Sequence, residues 1–123
     1  MRASSSSTTR PRVTSTVPAA GAKGVFAGAN IKATFSEEMR PASINTNTFK
    51  LRKKGSTNKV GATVSYNANK DRATLNPNNS LRSEVTYKAV VTTGARDEAG
   101  NRLDQKRRVS GLQKKVWFFT VRN

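Results

Sequence analysis

Short runs in which apolar and polar residues alternate, each closed by a turn signal, recur along the whole chain. The first complete run is Ile31-Lys32-Ala33-Thr34-Phe35-Ser36. Ile31, Ala33 and Phe35 fall on one side, and Lys32, Thr34 and Ser36 on the other. A side-chain period of two sets one row against a core and the other in water, as in a half-buried strand. The run stops at Ser36-Glu37-Glu38, and Met39 with Pro41-Ala42-Ser43-Ile44-Asn45 carries the chain over an edge toward the next strand. Pro41 suits the first turn of a short helix, with Ile44 directed inward.

The same plan repeats in both directions. Met1 to Arg10 is rich in Ser and Thr, poor in apolar residues, and reads as a disordered linker. Arg12 to Val17 reads as an edge strand ended by Pro18, and Ala19 to Val25 as a Gly/Ala loop. Phe49-Lys50-Leu51-Arg52 is a strand with Phe49 and Leu51 inward, followed by the basic loop Lys53-Lys54-Gly55-Ser56-Thr57-Asn58. Val60, Ala62, Val64 and Tyr66 share one side of the next run. The turn at Asn67 to Asp71 joins it to Arg72-Ala73-Thr74-Leu75 as a hairpin closed by Asn76-Pro77. Val85 to Thr93 is the longest β-prone run, with Val85, Tyr87, Ala89 and Val91 on one face. Gly94 to Arg102 is a turn. Lys115 to Val121 is the last strand, apolar on both faces, so either its second side is covered or Trp117 lies against a loop or a neighbouring domain. About seven strands at regular spacing, with no helical period, predict an all-β sandwich in two sheets.

The residue inventory narrows the chemistry. The 123 residues include no His and no Cys. Disulfides, thiolate metal sites, Cys nucleophiles and the Ser-His-Asp arrangement are thereby excluded. Lys and Arg number 23 against seven carboxylates, for a formal charge of +16. A balance this basic favours polyanionic partners. No stretch approaches 18 apolar residues, so no spanning helix is predicted. Met1-Arg2 and the Ser/Thr run that follows lack the apolar core of a signal peptide.

Five ordered blocks carry a resemblance to a known family: Thr34-Phe35-Ser36-Glu37-Glu38-Met39-Arg40-Pro41-Ala42-Ser43-Ile44-Asn45-Thr46-Asn47-Thr48-Phe49; Val64-Ser65-Tyr66-Asn67 with Arg72 to Pro77; Leu81 to Val91; Gly94 to Asn101; and Trp117-Phe118-Phe119-Thr120. Together they resemble the bacterial Ig-like domains of the S-layer SbsA type, over about Pro11 to Val121. The resemblance implies an Ig-like Greek-key β-sandwich at residues 11–123. It implies a non-catalytic spacer or adhesion module of a larger secreted or cell-surface protein, here a fragment without its signal peptide. Neighbouring domains of the same parent chain are the implied partners, and no cofactor or metal is implied. Three departures stand out: Ser83-Glu84 replaces the family's Pro-Gly, Arg40 replaces its Asp, and Lys106-Arg107-Arg108 with Lys114-Lys115 make the final stretch unusually basic.

Several groups admit a functional and a structural reading. Asp97 and Asn101 offer oxygens to a cation, but a turn in which they cap backbone N–H groups accounts for the same residues. Glu37 and Glu38 are adjacent, point to opposite faces of a strand, and so do not cooperate as acid and base. The Ser4 to Ser7 run and the sequon Asn78-Asn79-Ser80 are weak modification signals. Tyr87 reads as the tyrosine-corner anchor of a Greek-key sandwich, its hydroxyl bonded to nearby backbone. Trp117, Phe118 and Phe119 read as core beside Phe35 rather than as a stacking platform. Lys50, Arg52, Lys53, Lys54 and Lys59 form one basic set, and Lys106, Arg107, Arg108, Lys114 and Lys115 a second. In an Ig-type strand order both sets belong to one sheet and share a face. The alternative function is therefore a basic domain for polyanions: cell-wall polymer or acidic polysaccharide, ahead of nucleic acid.

Overall fold

The computed structural model describes residues 10–56, 59–105 and 111–122. Eight strands form two four-stranded sheets. One sheet contains β1 (Val13–Val17), β3 (Ile31–Phe35), β6 (Arg72–Pro77) and β5 (Ala62–Asn67) in that spatial order. The other contains β2 (Ala22–Val25), β8 (Lys115–Val121), β7 (Thr86–Val91) and β4 (Phe49–Lys53). All pairs are antiparallel except β2 with β8. The Ser/Thr-rich linker expected at residues 1–10 lies outside the described residues, save Arg10, which is exposed.

The alternation seen in the sequence is the packing. Ile31, Ala33 and Phe35 of β3 face Ala73 and Leu75 of β6 on the inner side of one sheet, all buried. Phe49, Leu51, Tyr87, Ala89, Val91, Trp117, Phe119 and Val121 supply the inner row of the other. The rings of Phe49 and Trp117 lie 6.2 Å apart at 40°, and those of Tyr87 and Phe119 5.9 Å apart at 21°. Such offset pairs add about 0.5–1.5 kcal/mol each beyond the area they bury. Val64 is only half-buried, because β5 is an edge strand with a neighbour on one side.

The Gly/Ala loop expected at Ala19 to Val25 is instead, over its second half, the strand β2. It pairs with β8 at Ala22 with Phe119 and at Val25 with Val121, with a register shift between. Gly24 sits in that shift with φ +67°, a conformation glycine adopts without penalty. Backbone bonds from Gly21 N to Phe118 O and from Arg122 N to Val25 O hold the segment in place. The strand is imposed by its neighbour, so the local sequence carries no alternation to announce it. The short helix expected at Pro41 is a single 3₁₀ turn, Pro41–Ser43, and Ile44 is buried beyond it.

Two free edges are closed by side chains or return loops, which blunts their capacity to pair with other chains. The Gln105 amide straddles Val13 of β1, accepting from its N–H at 2.8 Å and donating to its carbonyl at 2.9 Å. On β4, the Val60 N–H donates to the Leu51 carbonyl at 2.7 Å.

Two features of the turn before β7 generate measurable expectations. Glu84, which stands where the family has Gly, adopts φ +64° while its N–H donates to Val121 O. A side chain there costs about 1–2 kcal/mol, partly offset by the flexibility Gly gives the unfolded chain. Glu84→Gly should therefore raise stability by about 0.5–1 kcal/mol in urea unfolding. Nearby, the Tyr87 hydroxyl accepts a bond from Arg82 N–H at 2.9 Å. Removing it in Tyr87→Phe should lower stability by about 1 kcal/mol with the secondary structure intact by circular dichroism.

Candidate functional site

The residues of the longest matching block build the corner where the chain leaves one sheet for the other. Ser43 Oγ donates to Arg40 O at 2.8 Å and accepts from Arg96 N–H at 3.0 Å. Thr48 Oγ1 donates to Ser43 O at 2.6 Å and accepts from Asn45 N–H at 3.1 Å. Asn45 Oδ1 accepts from Asn47 N–H and Thr48 N–H. Met39 is wholly buried, and its N–H donates to the Tyr66 hydroxyl at 2.7 Å. The polar side chains of this block thus satisfy backbone groups that the corner withdraws from sheet ladders. The part played by Tyr66 was not visible in the sequence, where it appeared only as one of a row of inward residues.

Asp97 and Asn101 form a closed turn. The Asp97 carboxylate accepts from Asn101 N–H at 2.7 Å and from Asn101 Nδ2 at 3.1 Å. Asp97 N–H donates to Asn101 O, and Gly100 N–H to Asp97 O, both at 3.0 Å. Asp97 is wholly buried, so both its oxygens are spent on the turn itself. Among the described residues no group of three or more His, Cys, Asp and Glu is arranged to hold a metal ion. A second buried carboxylate, Asp104, accepts from Gln113 N–H at 3.0 Å and ties the segment before β8 to the one after β7. Trp117 and Phe119 lie in the core at 1% exposure each, while Phe118 points out at 38%.

The basic residues divide by position. Lys50 and Arg52 point outward from β4, as the inward placement of Phe49 and Leu51 requires. Lys53 lies opposite Tyr87, at an inward-facing register position, but is exposed at the strand end. Lys54 follows it, with Nζ 5.9 Å from the centre of the Phe118 ring. Lys59 is in the return loop, its Nζ donating to Thr46 O at 3.2 Å. Lys114 and Lys115 lie at the start of β8, with Lys115 opposite inward-facing Val91. Lys106, Arg107 and Arg108 lie outside the described residues. Among the described residues, Lys50 and Arg52 of β4 and Lys115 of β8 belong to one sheet, and Lys115 is level with Phe49 at the Lys50 end of β4, but its inward register position keeps it off the outer face of Lys50 and Arg52. Lys88 of β7, not among the basic residues singled out from the sequence, lies opposite Arg52 on one side and Phe118 on the other. A cleft of about 300 Å³ opens between the edges of the two sheets, lined by Phe49, Lys50, Val60, Ala62, Leu75 and Asn78. It holds no pair of groups suited to acid–base chemistry.

The turn reading of Asp97 is directly measurable. Asp97→Ala should lower stability by roughly 1–3 kcal/mol, since it strands the Asn101 donors. Millimolar calcium should leave the unfolding midpoints of the parent and the variant unchanged.

Comparison with known proteins agrees with this geometry. A family model for the bacterial Ig-like domain, Big_5, matches residues 7–121. No curated protein sequence matches the chain. Among solved structures, the S-layer protein rSbsC(31-844) is similar at TM-score 0.64 and 21% identity, over 93% of this chain and 14% of that one. The chain therefore spans about a seventh of the S-layer protein it matches. PcoC, a methionine-rich copper resistance protein from Escherichia coli, is similar at TM-score 0.69 and 22% identity, over 93% of this chain and all of PcoC. CopC from Methylosinus trichosporium OB3b is similar at TM-score 0.68 and 17% identity, over 91% and 93% of the two chains. These identities establish a shared fold alone. The copper chemistry named for PcoC has no matching donor set here: the chain has no His or Cys and two methionines. Met39 is sealed in the core and Met1 lies outside the described residues, so no cluster of soft ligands is presented among the described residues. The length of the family match, the two-sheet architecture and the bonded corner lead to one assignment: this chain belongs to the Big_5 family of bacterial Ig-like domains.

Proposed function

We propose that the chain is a non-catalytic structural module, a rigid spacer or adhesion unit within a larger secreted or surface-located bacterial protein. One observation carries the reading: the chain enters and leaves the sandwich at opposite ends. β1 starts at Val13, beside Phe35 at the far end of β3. β8 finishes at Val121, beside Val25, whose loop leads into Ile31 at the near end of β3. A strand of five to seven residues is roughly 17–23 Å long, so the core separates the two attachment points by about that distance. Modules built this way join in line and extend a chain, whereas adjacent termini would fold it back.

The likeness to the S-layer protein SbsC supports a surface location and tandem neighbours, and the five sequence blocks support kinship with the SbsA type. The composition supports the absence of catalysis, because the remaining titratable groups are dispersed or, like Asp97, consumed by turns. Two copies fused in tandem, from residue 122 of one to residue 10 of the next, test the geometry. Small-angle X-ray scattering should give a rod about twice as long as a single copy. A compact particle, with the copies side by side, would refute the spacer reading.

A further inference from the structure

The two outer faces of the sandwich differ in kind. On the β1-β3-β6-β5 sheet the outward positions are mainly hydroxyl and amide: Ser15, Thr34, Thr63, Ser65, Thr74 and Asn76, with Lys32 and Arg72 as the strand cations. On the β2-β8-β7-β4 sheet the outward positions of β4 and β7 are Lys50, Arg52, Thr86, Lys88 and Val90, and those of β8 are Val116, Phe118 and Thr120. Lys54 N–H donates to Thr86 O, which continues the β4 ladder one step, so Lys50, Arg52 and Lys54 form a row along the strand. Alternate residues on a strand are spaced by roughly 7 Å. Lys88 stands beside Arg52 in the next strand. No strand position on this face is acidic.

Of the outward apolar residues, Val90 is covered, Val116 is half-buried and Phe118 is exposed. Val90 points outward yet is only 6% exposed, with Lys50 and Val116 as its cross-strand neighbours. Long cationic side chains lay their stems over apolar surface and keep their charges in water. Phe118 is the one outward aromatic of these strands, and the Lys54 ammonium already lies over it. The result is a one-sign surface with three cations in a row along β4 and a fourth beside them.

We infer that this outer face, centred on Lys50, Arg52, Lys54 and Lys88, binds a linear phosphate-bearing polyanion by charge alone. The line of cations suits an extended chain of repeated negative groups, and its attraction arises from displaced counterions. Base-dependent binding of a single-stranded nucleic acid draws on several rings on which successive bases stack; here Phe118 and, at the β2 end, Phe26 are the exposed rings, each with a cation over it, Lys54 and Arg122. The inference does not depend on the spacer reading, since a module of either role would display the same face.

Inorganic polyphosphate is the probe, titrated against the whole chain at several salt concentrations, with oligo-dT of matched charge in parallel. Three charges are neutralised on the face, as Lys50→Gln, Arg52→Gln and Lys88→Gln together. Three are neutralised elsewhere, as Lys32→Gln, Lys70→Gln and Arg72→Gln together, so both proteins lose the same net charge. Circular dichroism and urea midpoints establish that both sets fold. The face set should weaken polyphosphate binding about tenfold or more and reduce the salt slope by about 2. The other set should change affinity by less than about threefold. Equal losses in the two sets would reduce the effect to net charge and overturn the assignment. So would an unchanged salt slope, or oligo-dT binding more tightly than polyphosphate through the same three residues.

Discussion

Everything in this sandwich rests on β8 being buried between two neighbours. β2 pairs on one side of it and β7 on the other, and its inner row of Trp117, Phe119 and Val121 fills the space between the sheets. Tyr87 reaches that row from the adjacent β7 as a stacked ring pair, and Phe49 from β4, one strand further out, as a tilted one. The sequence places this strand last, so the core closes only when the C-terminal segment docks onto β7. The pairing of β8 with β2, at Ala22 with Phe119, closes a loop over most of the chain, and that entropy is lost before the contact contributes.

Around that core, the polar residues are chiefly architectural. The corner between β3 and β4 turns the chain from one sheet to the other, which removes its backbone groups from both ladders. Ser43, Asn45 and Thr48 replace the lost partners one by one. Asp97 does the same for the turn after β7, and Tyr66 and Tyr87 each bring a hydroxyl to a backbone N–H. A sequence signature of this kind recurs because a buried unpaired amide is expensive. It marks a fold, and the fold then hosts whatever its surface allows.

Much of this was legible from residue order. The strands β3 to β8 follow from alternation, the hairpin from the Asn-rich turn, and the Tyr87 anchor from its place at the start of a long β-run. β2 was not legible, because its two-point pairing to β8 is imposed from outside and its Ala-Lys-Gly-Val sequence has no period. Val64 looked as deeply buried as Leu75, since alternation gives the face of a strand but not its place in the sheet. The surface was legible in part: the basic residues of β4 were readable as one set, but not the strand that would set a further cation beside them. A charge of +16 gave no reason to set Lys88 beside Arg52, which are 36 positions apart in the chain and opposite one another across β4 and β7.

The amino-acid order by itself determined that the chain would form short strands with one apolar face, that it would close as two sheets, and that disulfides, thiolate chemistry and a Ser-His-Asp arrangement were out of reach. Those are properties of local period and residue type, which need no knowledge of neighbours. Strand order, edge position, the opposite placement of entry and exit, and the gathering of cations onto one outer face were decided by the tertiary structure. Each depends on which strands pair across long stretches of chain, and that pairing is selected by how the inner rows of the two sheets fill their common space.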